Sequence, residues 1–213
     1  MLERVYFISQ QTATKTHVTA IEEALDAGCK LVQLRVKNQP ETVVLELAKA
    51  AKTLCDKYNA KLIINDFPLV AKSVNAWGVH VGLQDMAVSD VRAIVGRNMI
   101  VGGTANTFEH IQQRILEGVD YVGLGPFRFT TTKEKLSPVL GLEGYQRIMD
   151  QMRAAAYYTP IVAIGGILPD DVPGLRDAGV FGVAISGALT NAVEKSNVVE
   201  QITKNYEHAN NRK

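Results

Sequence analysis

Cysteine is almost missing from this 213-residue chain: only Cys29 and Cys55 occur, with no CxxC spacing and no neighbouring histidine. A disulfide scaffold and a cysteine-based zinc cluster are therefore excluded, and a reducing compartment is expected. An excess of one charge is missing too, since 23 Lys+Arg stand against 22 Asp+Glu for a formal net charge of +1. Aromatic residues are 7% of the chain, too few for a base-stacking surface. Nucleic acid and acidic membrane lipids are accordingly not expected partners. The longest apolar runs are five to seven residues, far short of the ~20 that cross a bilayer. The opening Met1-Leu2-Glu3-Arg4-Val5 runs directly into a strand-like segment and lacks the layout of a secretory signal. No linker, charge block or low-complexity tract interrupts the sequence before Asn210-Asn211-Arg212-Lys213. These absences predict one cytoplasmic globular domain over residues 1–209, with 210–213 as a frayed tail.

What is present is a regular alternation. Short β-branched runs occur at 5–9, 31–37, 61–66, 78–82, 99–105, 121–126, 160–166 and 182–187. Most lack a clean period of two, as strands do when both faces are covered in a parallel sheet. Between them lie amphipathic stretches: Val18, Ile21, Ala24 and Leu25 recur at helical spacing, 43–54 repeats it, and Thr107 opens another with Ile111, Ile115 and Leu116 as its buried stripe. Gly28, Gly96, Gly118 and Gly179 stand where left-handed helix ends are needed. Strand–helix alternation implies parallel pairing with right-handed crossovers. Eight units in about 200 residues predict a single-domain α/β fold, a (β/α)8 TIM barrel near the lower end of its size range. A doubly wound open sheet would place a GxGxxG after its first strand, where this chain has Gln10-Gln11-Thr12-Ala13-Thr14.

In such a barrel the chemistry gathers at the C-terminal strand ends. Those ends hold Gln33-Leu34-Arg35-Val36-Lys37, Asn65-Asp66, His80, Asp85, Thr104, Asn106, Gly165-Gly166 and Ser186-Gly187. Alternation in the second strand would aim Gln33, Arg35 and Lys37 at the mouth. Two cations there call for an anion, either a ligand or, in the plainer reading, Asp66 and Asp85 in a structural ion network. Asp66 and Asp85 end neighbouring strands, and two carboxylates beside cations suit Mg²⁺, which completes its shell with water and phosphate oxygens. A zinc site would want His or Cys, and only His80 is near, where it serves equally well as a core histidine. The 127–138 loop offers Thr130, Thr131, Thr132, Lys133 and Lys135, donors that suit phosphate as a lid, or else line a solvated surface loop. Gly165-Gly166 and Ser186-Gly187 close strands seven and eight, where barrels frequently bind a monophosphate. Two anion sites are thus expected, one metal-assisted.

These stretches, in this order and spacing, resemble the thiamine-phosphate synthase (thiamine-phosphate pyrophosphorylase) family over about residues 5–189. Gln33-Leu34-Arg35-Val36-Lys37, Ile64-Asn65-Asp66, Gly78-Val79-His80-Val81-Gly82, Asp85, 120–126, Thr130-Thr131-Thr132-Lys133 and Ala163-Ile164-Gly165-Gly166-Ile167 carry the resemblance. It implies a transferase of thiamine biosynthesis whose small-molecule partners are hydroxymethylpyrimidine diphosphate and a thiazole phosphate. Pyrophosphate leaves, and the thiazole nitrogen attacks the exposed methylene carbon. On the same resemblance Gln33, Arg35, Lys37 and Asn65 would contact the pyrimidine substrate and its diphosphate. Asp66 and Asp85 would ligate Mg²⁺, and Thr104 and Lys133 would hold the diphosphate. Thr130, Thr131, Thr132, Gly166, Ser186 and Gly187 would surround the thiazole phosphate. Catalysis would rest on Lys133 and Arg35 stabilising the leaving group with the metal, and no general base is needed.

Some positions depart from the family pattern. Leu83-Gln84-Asp85 follows Gly82 where Gly-Gln-x-Asp is common, Phe67 follows Asp66 in place of a polar residue, and Asn106 stands where a His is common. A sister family, the thiazole tautomerases, is thought to use that His as a proton shuttle, which Asn106 cannot do. Ser186-Gly187-Ala188 resembles the tautomerase version of strand eight and keeps that alternative open. A catalytically silent thiazole-phosphate-binding protein is the other alternative. Exposed helix faces allow a homodimer, and no stripe is distinctive enough to fix one.

Overall fold

The eight β-branched runs pair as eight parallel strands in the computed structural model, which describes residues 1–129 and 138–207. They are β1 (Val5–Ile8), β2 (Leu31–Leu34), β3 (Lys61–Asn65), β4 (Gly78–Val81), β5 (Ile100–Ala105), β6 (Tyr121–Leu124), β7 (Ile161–Ala163) and β8 (Gly182–Ile185). Each neighbours the next in sequence, and β1 closes on β8 through Val5↔Val183, Tyr6↔Ala184 and Phe7↔Ile185, giving a closed barrel. The principal helices between strands are α1 (His17–Asp26), α2 (Glu41–Lys57), α3 (Pro68–Ser73), α4 (Val88–Val95), α5 (Phe108–Leu116), α6 (Gly141–Ala154) and α7 (Val172–Ala178). Short α8 (Gly187–Thr190) and longer α9 (Lys195–Glu207) follow β8. Among the described residues no helix is long and apolar enough to cross a membrane. The expected frayed tail at 210–213 lies outside the described residues.

The missing period of two is explained by two apolar layers. Val5, Phe7, Val32, Leu34, Leu62, Ile64, Val79 and Val81 point outward into the core shared with the helices. Tyr6, Leu31, Ile63, Tyr121, Val162, Ile164 and Ala184 point inward and fill the barrel. Alternation persists in space while hydropathy does not alternate, because both directions lead into a dry layer. Near the upper rim the inward positions turn polar: Gln33, Asn65, His80 and Thr104 are buried there.

Three expectations need correction. Most strands stop earlier than their β-branched runs: β2 ends at Leu34, so Arg35 and Lys37 belong to the loop that follows, and β3 ends at Asn65, whereas β5 runs to Ala105 as expected. The last β2–β3 register pair is Leu34↔Ile64, and at Asp66 the backbone turns into the left-handed region at φ 65°. On α5, Leu116 is 86% exposed, while Arg114, 4% exposed, takes its place beside Ile111. The reason lies underneath, at Gly103 of β5. A Cβ there would come within 2.9 Å of Arg114 Cδ, so the absent side chain leaves the space that the arginine stem fills.

Candidate active site

Two cavities open at the C-terminal rim. The first, of about 490 Å³, is lined by Gln33, Arg35, Lys37, Asn65, Asp66, His80, Asp85, Thr104, Asn106 and neighbours. The second, of about 450 Å³, is lined by Gln10, Arg128, Gly165, Gly166, Ser186, Gly187 and others. Ile8, Arg35 and Ile164 line both, so the two chambers adjoin across one shared wall.

The floor of the first chamber is a buried hydrogen-bonded chain across five strands. Gln33 Nε2 donates to Tyr6 Oη, which meets Tyr121 Oη at 3.2 Å. Tyr121 Oη lies 2.9 Å from His80 Nδ1, and His80 Nε2 lies 3.0 Å from Thr104 Oγ1. The Gln33 amide is the donor at one end; the Tyr6–Tyr121 bond can run in either direction, and the roles of the His80 nitrogens follow its tautomer. One self-consistent arrangement has Tyr6 donating to Tyr121, Tyr121 to His80 Nδ1, and His80 Nε2–H to Thr104 Oγ1. In that arrangement the Thr104 hydroxyl hydrogen is available to the chamber that Thr104 lines. Burial pushes both phenols up, holding them protonated. With both ring nitrogens engaged, His80 is a hydrogen-bonded core histidine and not a metal ligand. Gly102 makes the arrangement fit, since a Cβ there would lie 2.2 Å from the Tyr121 ring.

Above this floor sits the acidic pair. Asp66 Oδ2 accepts from Asn65 Nδ2 and pairs with Lys37 Nζ, while its Oδ1 is buried with no hydrogen-bond partner. Burial raises the Asp66 carboxyl above the ordinary carboxylate range; Lys37 opposes the rise and the facing Asp85 carboxylate adds to it. Asp85 Oδ2 accepts from the Gly82 N–H at 2.9 Å, an approach only glycine allows, because a Cβ would stand 2.4 Å from that oxygen. Among the described residues no group of three or more His, Cys, Asp or Glu is gathered for a metal. Two facing carboxylates, one with an orphaned buried oxygen, are the donor set a hard cation such as Mg²⁺ takes from a protein. The expected ion network exists in part, as the Lys37–Asp66 pair.

In the second chamber, Gly165 (φ 88°) and Gly166 (φ 73°) turn the chain in a conformation that favours glycine, and a Cβ on Gly166 would strike Arg128 Cγ at 2.3 Å. Arg128 donates to the Gly166 carbonyl and makes a two-pronged pair with Asp171. Ser186 Oγ donates to Gln10 Oε1 at 3.2 Å. Asn106 donates its amide to the Gly125 carbonyl, just past the end of β6. Leu83 lines the first chamber, and Phe67 packs partly buried against the helix-side core. Thr130, Thr131, Thr132 and Lys133 lie outside the described residues. The sequence reading missed Tyr6, Tyr121, Gln10 and Arg128; for the tyrosines the available signal was a polar aromatic in the interior phase of a strand.

A closed parallel barrel whose rim carries two adjoining chambers, one of them bearing an acidic pair, defines a (β/α)8-barrel enzyme. Comparison narrows the class. The profile of the thiamine monophosphate synthase family matches residues 5–189. The chain is 46% identical to a thiamine-phosphate synthase of Flavobacterium johnsoniae over 204 residues, 96% of each protein. It is 45% identical to one from Flavobacterium psychrophilum, covering 96% of this chain and 99% of the relative. A solved thiamine phosphate pyrophosphorylase from Pyrococcus furiosus superposes with a TM-score of 0.83 at 30% identity, covering 96% of both chains. The chain belongs to the thiamine monophosphate synthase family.

Proposed function

We propose that this enzyme joins hydroxymethylpyrimidine diphosphate to a thiazole phosphate, giving thiamine phosphate and pyrophosphate. Family membership supports the reaction, and one observation carries it to these residues: two chambers suited to anions share the Arg35 wall. The carboxylate-bearing chamber would take the diphosphate ester, and the glycine-lined chamber the thiazole phosphate. The methylene carbon of the first would then face the ring nitrogen of the second across Ile8, Arg35 and Ile164.

In the reaction, the bond from methylene carbon to diphosphate oxygen breaks with its electron pair going to oxygen. The thiazole nitrogen lone pair then forms the new carbon–nitrogen bond. Asp66 and Asp85 would hold Mg²⁺, which when bound supplies positive charge beside the leaving diphosphate. Thr104 donates its hydroxyl hydrogen to a diphosphate oxygen, and Arg35 answers the charge from the shared wall. Gln33 and Asn65 bound the pyrimidine, and Lys37 is available to the diphosphate from its place beside Asp66. Roles for Lys133 and Thr130 to Thr132 rest on the family resemblance alone. Gly166, Ser186 and Gly187 form the floor against which the thiazole phosphate would lie. No side chain is asked to remove a proton, in keeping with Asn106, which is spent on a backbone carbonyl. A cytoplasmic setting goes with this reading, supported by the two free buried thiols.

The test is release of pyrophosphate by purified protein. It is expected only with both substrates and Mg²⁺ present, and it should fall by at least about a hundredfold in Asp66→Ala. Conversion of thiazole isomers in EDTA without pyrophosphate would point to the tautomerase instead.

A further inference from the structure

Arg114 is the most deeply buried guanidinium among the described residues, and nothing in the proposed reaction uses it. It enters from α5, outside the barrel, and slides over Gly103, whose Cβ would lie 2.9 Å from Arg114 Cδ and 3.1 Å from Nε. Its fork spreads between two strands. Nε donates to the Thr104 carbonyl at 3.2 Å, Nη2 to the Gly82 carbonyl at 2.8 Å, and Nη1 pairs with Glu117 at 2.7 Å. Each carbonyl belongs to a residue that presents a site group. Gly82 gives its N–H to the Asp85 carboxylate, and the Thr104 hydroxyl is oriented by His80.

A buried cation is a costly way to fill space, and an apolar residue of similar volume would pack there at least as favourably. What an apolar residue cannot do is donate to two diverging carbonyls at once, which needs the planar fork of arginine. We propose that Arg114 is a positioning residue. It clamps the end of β4 to β5 from behind and so fixes the distance and orientation between the Asp85 turn and the Thr104 hydroxyl. Partners behind a metal ligand typically change metal affinity about 10–100-fold when removed. The inference rests on the proposed function only in taking Asp85 and Thr104 as groups that meet the metal–diphosphate unit.

The experiment compares wild type, Arg114→Met and Arg114→Lys by Mn²⁺ titration in the presence of pyrophosphate, read by electron paramagnetic resonance. Circular dichroism and thermal melting report whether each variant is folded. Methionine keeps the stem over Gly103 and loses every donor; lysine keeps one charge and reaches one carbonyl. Mn²⁺ affinity is expected to fall about tenfold in Arg114→Met and less in Arg114→Lys. In turnover, kcat should drop while KM for the thiazole phosphate stays within about twofold, because the second chamber lies beyond the clamp. If Arg114→Met does not fold, Arg114→Lys carries the test, with weakened Mn²⁺ binding still required. Wild-type Mn²⁺ affinity in any folded variant would overturn the proposal, as would a thiazole phosphate KM that rises in step with the loss of metal affinity. Absence of turnover in wild type would refute the proposed reaction and leave the binding comparison intact.

Discussion

Asp66 holds a carboxylate in a place that a carboxylate alone would avoid. Its backbone lies at φ 65°, its Oδ1 is buried without a partner, and burial with the facing Asp85 lifts its carboxyl above the ordinary range even with Lys37 beside it. Strain and desolvation of this kind persist where the surrounding structure over-determines them for a purpose. The sign is then fixed. A folded-state pKa raised above the unfolded value means the folded protein binds the extra proton, so the stability gained below the ordinary carboxylate pKa is lost as pH rises through the raised one. At neutral pH the ionised group therefore costs stability. Asp66→Asn should abolish turnover and yet melt no lower than wild type, rising by about 2 °C at pH 7 in metal-free buffer. Thermal melts against pH check this: the advantage of the variant should shrink towards pH 4. A variant that melts well below wild type at pH 7 would make Asp66 a structural partner of Lys37 and nothing more.

Between residues and barrel lies the scale of paired elements, where the chain from Gln33 through Tyr6, Tyr121 and His80 to Thr104 crosses β2, β1, β6, β4 and β5. In the arrangement that starts from the Gln33 donor its value is directional, each link donating to the next. Tyr121→Phe removes the middle link and leaves His80 Nδ1 without its donor. The ring tautomer should then shift away from pure Nε2–H in ¹⁵N spectra, and kcat should fall by about tenfold, the scale of ~1.4 kcal/mol in transition-state stabilisation. An unchanged ring spectrum with unchanged kcat would show that the chain is only packing. At this scale the sequence was readable where the signal is repetition. Alternating strands and helices gave eight parallel strands, and Thr107 begins α5 with its hydroxyl accepting from the His110 N–H. It was unreadable where one contact overrides a pattern. The apolar stripe pointed to Leu116, yet Gly103 opens a slot under Arg114, two residues earlier, that only a long stem fills. A glycine inside a strand is the one local hint of such an approach. Strand ends were overrun for a related reason: Val36 is as apolar as Leu34, and pairing stops because the backbone turns, which hydropathy does not record.

For the whole molecule, the decisive feature is that two chambers made from distant parts of the chain meet at Arg35. The carboxylate pair comes from the loops after β3 and β4, and the glycine floor from those after β7 and β8. Residue types at strand ends led to the expectation of two anion sites, and two chambers stand at those strand ends. Their adjacency arises only on closure, when β8 returns to β1 and brings Ser186 to within hydrogen-bonding distance of Gln10. The central claim is that the Asp66–Asp85 side of this rim holds a divalent cation against the leaving diphosphate. Its most direct measurement is an anomalous difference map from crystals grown with Mn²⁺, pyrophosphate and thiamine phosphate. One strong peak is expected in contact with both the Asp66 and Asp85 carboxylates and with pyrophosphate oxygens. Pyrophosphate bound at full occupancy with no peak touching either carboxylate would contradict the account.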